Sequence, residues 1–128
     1  MDYYFSKTIK SPFNEVYDLV TESLKKEGFG VISEIRMNDK LKEKLGVDFR
    51  KYTILGACNP AYAYKALQIE DKIGTMLPCN LILQELSENN IEVAAVNPVA
   101  SMMAIQNPTL GVIAGEITEK LQRVIKSL

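Results

Sequence analysis

The chain has 128 residues, 47% apolar and 24% charged, with a formal charge of −1. That length suits one domain, residues 1–128, burying roughly two-thirds of its unfolded surface, and the apolar content is too high for disorder. The near-neutral charge leaves no global field for nucleic acid or anionic membrane, and the lack of histidine removes Ser-His-Asp triads, Cys-His dyads and imidazole metal ligands.

No apolar run approaches the roughly 20 residues that span a bilayer. The start, Met1-Asp2-Tyr3-Tyr4-Phe5, lacks the basic-then-apolar layout of a signal peptide, which predicts a cytoplasmic protein whose cysteines are unlinked. Alternation from Tyr3 to Ile9 predicts a strand. Ser11-Pro12 then predicts a helix start, with Ser11 capping and Pro12 in the first turn. Phe13, Val16, Val20 and Leu24 recur at helical spacing, and Gly28 supplies the stop. Val31 to Met37 reads as a second strand with Val31, Ile35 and Met37 on one face and Glu34 on the other.

Asn38-Asp39 predicts a short helical turn through Leu45, ended by Gly46. The basic residues around it, Lys40, Lys42, Lys44, Arg50 and Lys51, are interrupted by Asp39, Glu43 and Asp48, so they read as a solvated face rather than an anion patch. Tyr52 to Cys58 is an uncharged interior strand. Asn59-Pro60 opens a helix to Ile69, on which Tyr62 and Tyr64 face different directions, for packing or to line a pocket. Asn80 to Leu86 and Ile91 to Val96 flank a polar turn. Asn97-Pro98 and Asn107-Pro108 are helix starts, and Leu110, Ile113, Ile117, Leu121, Val124 and Leu128 form a long stripe supported by Glu116-Lys120 and Glu119-Arg123 pairs. Gly111 and Gly115 fall inside this helix, follow no strand, and make no phosphate loop. Strands joined by short connections predict an α+β fold, an antiparallel sheet with helices on one face.

The two cysteines both lie in Cys-Asn dipeptides flanked by proline: Gly56-Ala57-Cys58-Asn59-Pro60 and Leu77-Pro78-Cys79-Asn80. With Lys42-Glu43-Lys44-Leu45-Gly46-Val47-Asp48-Phe49-Arg50, Ile73-Gly74 and Val96-Asn97-Pro98, these blocks resemble the bacterial and archaeal family called domain of unknown function 302. The resemblance spans nearly the whole chain. It implies a TATA-box-binding-protein-like fold, a curved antiparallel sheet of about five strands with an early helix and a C-terminal helix against it. It also implies a homodimer, and brings no activity with it.

In such a fold Cys58 ends one strand just before a helix, and Cys79 starts the next long strand. The two sulfurs are then expected at one rim of the sheet, with Asn59 and Asn80 offering amides to a small ligand. Three readings follow. The first is a homodimeric binding or accessory protein with a small-molecule or metal site at Cys58, Asn59, Cys79 and Asn80. Two sulfurs alone do not complete a zinc site, so a zinc ion would need Glu34 or a partner's ligands. The second is a thiol redox or sulfur-handling protein, since a helix N-terminus favours thiolates; Cys58 would attack and Cys79 resolve. The third is a structural or interaction module whose cysteines are inert core residues. A register slip of one residue would turn either sulfur to the opposite face.

Overall fold

The computed structural model describes residues 2–128. Five strands form one antiparallel sheet in the order β1-β5-β4-β3-β2: β1 Tyr4–Ile9, β2 Gly30–Arg36, β3 Tyr52–Cys58, β4 Cys79–Ser87 and β5 Asn90–Val96. Helices α1 (Phe13–Lys26) and α5 (Pro108–Lys126) cover one face. Between them come α2 (Met37–Leu45), α3 (Pro60–Ile69), a 3-10 segment (Asp71–Met76) and the short α4 (Pro98–Ser101). This is the curved α+β arrangement that the resemblance implied, with early and C-terminal helices against the sheet.

Alternation along the inner strands decides which face is buried. Leu55, Leu81, Leu83, Ile91 and Val93 point to the helices and are fully buried with Val16, Val20 and Leu24 of α1 and Leu121 and Val124 of α5. A second, smaller cluster of Ala66, Ile73 and Leu110 joins α3, the 3-10 segment and α5. Burying a side chain of this size contributes about 1.5–3 kcal/mol. The two helix stripes and the strand alternation are thus two halves of one core.

The helix ends depart from the sequence reading in an instructive way. Ser11 does not cap α1; Pro12 occupies the cap position and its carbonyl accepts from Glu15 N and Val16 N, both at 3.1 Å. At the other end, Gly28 has φ +85°, Gly28 N donates to Lys25 O at 3.0 Å and Phe29 N to Leu24 O at 2.9 Å. That is a Schellman motif, and Phe29 closes it by burying beside Leu24. Asn97 and Asn107 do cap, accepting from Val99 N at 3.2 Å and Leu110 N at 3.2 Å.

In β2 the expected alternation fails because the ladder shifts between Val31 and Ser33. Val31 pairs with Ala57, whereas Ile35 pairs with Ile54, so the two lie on opposite faces, and Met37 already belongs to α2. One extra residue in a bulge is enough to cause this. Glu34 pairs with Leu55 and so shares the helix-covered face. The ion pairs expected along α5 are also redirected: Arg123 Nη2 lies 2.9 Å and Lys120 Nζ 4.0 Å from Glu27 Oε1, at the end of α1. Arg123, by hydrogen bonding, is the main reason the Glu27 carboxyl sits below its usual range. A carboxylate at 21% exposure that collects two cations from a packed neighbour outcompetes exposed pairs along one helix.

The segment from Met37 to Lys51 has no buried residue, although Leu45, Val47 and Phe49 are large and apolar. It is tied back by Asn38 Oδ1, which accepts from Tyr52 N at 3.2 Å.

Gly56 sits where no other residue fits. A Cβ there would meet Ser33 Oγ at 2.1 Å and Pro78 Cγ at 2.6 Å. Overpacking of this kind costs about 1–3 kcal/mol. Urea unfolding of Gly56→Ala should show that loss, and adding Ser33→Ala should recover only part of it, because the Pro78 ring remains. Full recovery in the double variant would mean that Pro78 yields freely.

Candidate functional site

The site forms where β3 ends and β4 begins. β3 runs without interruption to Cys58, and Asn59-Pro60 then turns the chain into α3, with Pro60 in the first turn. The Leu77–Pro78 peptide is cis and delivers the chain into β4 at Cys79. Antiparallel pairing places Ala57 opposite Cys79, which brings the two cysteines to the same rim of the sheet. Both are free thiols.

Above this rim lies a cavity of about 270 Å³. Its floor is Phe29, Ala57, Cys58 and Cys79, and Leu77 and Pro78 form one side. Helix α3 contributes Tyr62, Ala63, Ala66 and Leu67, and α5 contributes Leu110, Ile113, Ala114 and Ile117. Small alanines on both helices keep the space open. The walls are almost wholly apolar, with the Asn59 amide, the Tyr62 phenol and the two thiols as the polar groups. Such a lining suits an apolar molecule held by a few polar contacts.

The two thiols differ in setting. Cys79 is core-facing and 9% exposed, whereas Cys58 is half-buried. Burial pushes the Cys79 thiol from an ordinary 9.0 up to about 11, and the Cys58 sulfur adds to the rise. At neutral pH Cys79 is therefore a protonated, weakly polar wall of the cavity rather than a nucleophile.

The asparagines part company. Asn59 lines the cavity, but its side chain does not cap α3; its Nδ2 donates to Glu27 O at 3.3 Å and ties the strand end to α1. Asn80 is the next residue after Cys79, so the pleat turns it to the open face of the sheet. There it lines a separate concavity with Tyr4, Tyr52, Ile82 and Gln84. The two amides expected together are thus separated: Asn59 stands at the thiol rim and Asn80 on the opposite face of the sheet.

Glu34 is also not brought to the thiols. Cys58 faces Gly30 and Leu55 faces Glu34, so three residue steps along β3, roughly 10 Å, separate them along the ladder. Its carboxylate accepts from Tyr17 Oη at 2.6 Å and Arg36 Nε at 3.2 Å. Among the described residues no three His, Cys, Asp or Glu side chains gather where they could hold a metal ion. Two thiols with no third ligand do not fit a zinc site, which takes four ligands, or three protein ligands and a water. Of the two tyrosines expected either to pack or to line a pocket, Tyr62 lines the cavity from the α3 face turned toward α5. Tyr64, two residues on, is 66% exposed.

The family model for the domain of unknown function DUF302 matches residues 5–128, and the chain belongs to that family. The crystal structure of an uncharacterized conserved DUF302 protein from Bacillus stearothermophilus is similar throughout. It has a TM-score of 0.90 and 29% identity, covering 99% of this chain and 98% of that one. No curated protein matches the chain. No helix among the described residues is long and apolar enough to cross a membrane.

The thiol chemistry gives a direct check. At pH 8 iodoacetamide should alkylate the half-buried Cys58 well before Cys79, because Cys79 is buried and burial holds its thiol up at about 11, where little of it is thiolate at pH 8. The folded form holds this proton above the unfolded value, so stability from this group is fully present below pH 9.0 and is lost as pH rises through about 11. In Cys79→Ala that part of the alkaline decline should vanish. Equal native labelling of both cysteines would overturn the assignment of Cys79 as a buried wall.

Proposed function

We propose that this DUF302 member is a small homodimeric binding or accessory protein that holds a compact, mainly apolar molecule in the cavity above Cys58 and Cys79. The observation that carries the reading is the cavity itself: about 270 Å³ of apolar space kept open by Ala63, Ala66 and Ala114 beside two free thiols. A protein whose only need was a tight core would fill such a space, since voids cost stability. The volume is just below the usual range of ligand pockets, ~300 to ~1,000 Å³, which limits the occupant to a compact molecule. In this role Cys58 and Cys79 supply soft, polarizable contact surface and Asn59 a single amide. The proposal keeps a cytoplasmic setting, where thiols stay reduced.

The homodimer is supported by the open face of the sheet. Tyr4, Ile35, Ile54 and Ile82 lie on the face opposite the helix-covered core. A sheet face that is apolar at its centre and polar at its margin is the composition expected of a contact between two copies.

Two experiments address the two halves. Octanol, a neutral probe small enough for the cavity, should shift the amide resonances of Cys58, Ala63 and Ala114. In Ala63→Leu, where the added carbons occupy the space, binding should be lost while the melting temperature is kept or raised. Octanol shifts that map elsewhere, or survive Ala63→Leu, would sink the cavity reading. Light scattering should give a dimer mass for the parent protein and a monomer mass for Ile82→Lys. A monomeric parent removes the dimer from the proposal and leaves the cavity standing.

A further inference from the structure

The cavity has a charged mouth. Tyr62 and Ile113 belong both to its wall and to an open groove of about 550 Å³ on the outer side of α3 and α5, so Tyr62 is the partition between the two spaces. Two ammonium groups gather on its ring, Lys65 Nζ at 5.5 Å and Lys120 Nζ at 5.9 Å from the centroid. Lys65 lines the groove itself. Lys120 is only 25% exposed, and its carboxylate partner, Glu27, stands 4.0 Å away while Arg123 holds the same oxygen at 2.9 Å. One carboxylate, Glu116, also lines the groove. The local balance around the partition is therefore three cations, Lys65, Lys120 and Arg123, against two anions, Glu27 and Glu116, and among the described residues no carboxylate stands within 4.0 Å of Lys65.

Resting on the cavity reading above, we infer that the ligand is an amphiphile with an anionic head: its apolar body fills the cavity and its carboxylate or similar group lies at the Tyr62 partition against Lys65 and Lys120. Apolar burial supplies most of the binding, and the ammonium groups select the head. A cationic head would meet Glu116 but face both lysines, and a neutral head would leave Lys65 without a partner. The Tyr62 ring fits this arrangement, since it presents one surface to the apolar body while its hydroxyl hydrogen-bonds the Glu116 carboxylate in the groove and holds that anion to the ring's edge.

The test compares three probes of equal chain length, octanoate, octanol and octylamine, by calorimetry on the full-length protein at low salt. Octanoate should bind at least about threefold tighter than octanol, as expected for a charge-assisted contact near a surface, and octylamine weakest. In Lys65→Gln and Lys120→Gln the octanoate preference should fall toward unity with octanol affinity unchanged, and salt should erode the preference in the parent alone. Octanol binding as tightly as octanoate, or a preference that survives both substitutions, overturns the anionic head and leaves the apolar cavity intact. Tighter binding of octylamine assigns the mouth to Glu116 and also overturns it. Binding of none of the three overturns the cavity reading and this inference together.

Discussion

Everything at the thiol rim depends on the register of β3 against β4. Ala57 opposite Cys79 and Gly56 opposite Asn80 set which side chains reach the core and which reach the open face. The Pro78 ring rests where a Gly56 side chain would be, with Ser33 closing in from β2. That contact spans three consecutive strands of the ladder. A shift of one residue would bring a Cβ under Pro78, expose Cys79 and drive Asn80 into the apolar cluster. The steric cost and the burial cost have the same sign, so the rim is specified twice.

Much of this architecture is written in the chain at the level of pattern. The helical stripes of α1 and α5, the uncharged run of β3 and the polar turn between β4 and β5 are periodic signals that packing then uses unchanged. The placement of Cys58 before α3 and Cys79 at the start of β4 followed from proline and asparagine punctuation. What pattern could not give was anything set by a single residue of offset. The bulge between Val31 and Ser33 inverted half of β2, and the pleat at Cys79 sent Asn80 away from the site. Glu34 was out of reach for the same kind of reason, since proximity across a sheet needs the register and not only the strand.

The polar side chains show a second limit of sequence reading. Asn59, Asn97 and Asn107 all precede proline, yet two cap their own helices and Asn59 instead bonds to the end of α1. The difference lies in the neighbour: the Schellman turn at Gly28 sets Glu27 O within reach of Asn59 Nδ2, and Gly28 itself packs against that amide. Glu27 repeats the theme by drawing Lys120 and Arg123 off α5. One helix end thus organises the strand terminus, the cavity floor at Phe29 and the cations of the C-terminal helix, through three different kinds of contact.

The stretch from Met37 to Lys51 stands outside this economy of contacts. None of its residues enters the core, and polar bonds tie it to the sheet: Asn38 Oδ1 accepts from Tyr52 N, Arg50 Nε donates to Gln84 Oε1 at 2.8 Å, and Lys51 O accepts from Glu85 N at 3.0 Å. The chain is therefore anchored in two ways: by apolar burial around β3, β4, β5, α1 and α5, and by polar bonds alone in an appendage, where local opening exposes little apolar surface and costs less than unfolding the sheet. Sequence change in the appendage is filtered by solubility and by whatever it touches, whereas change at the rim is filtered by folding itself.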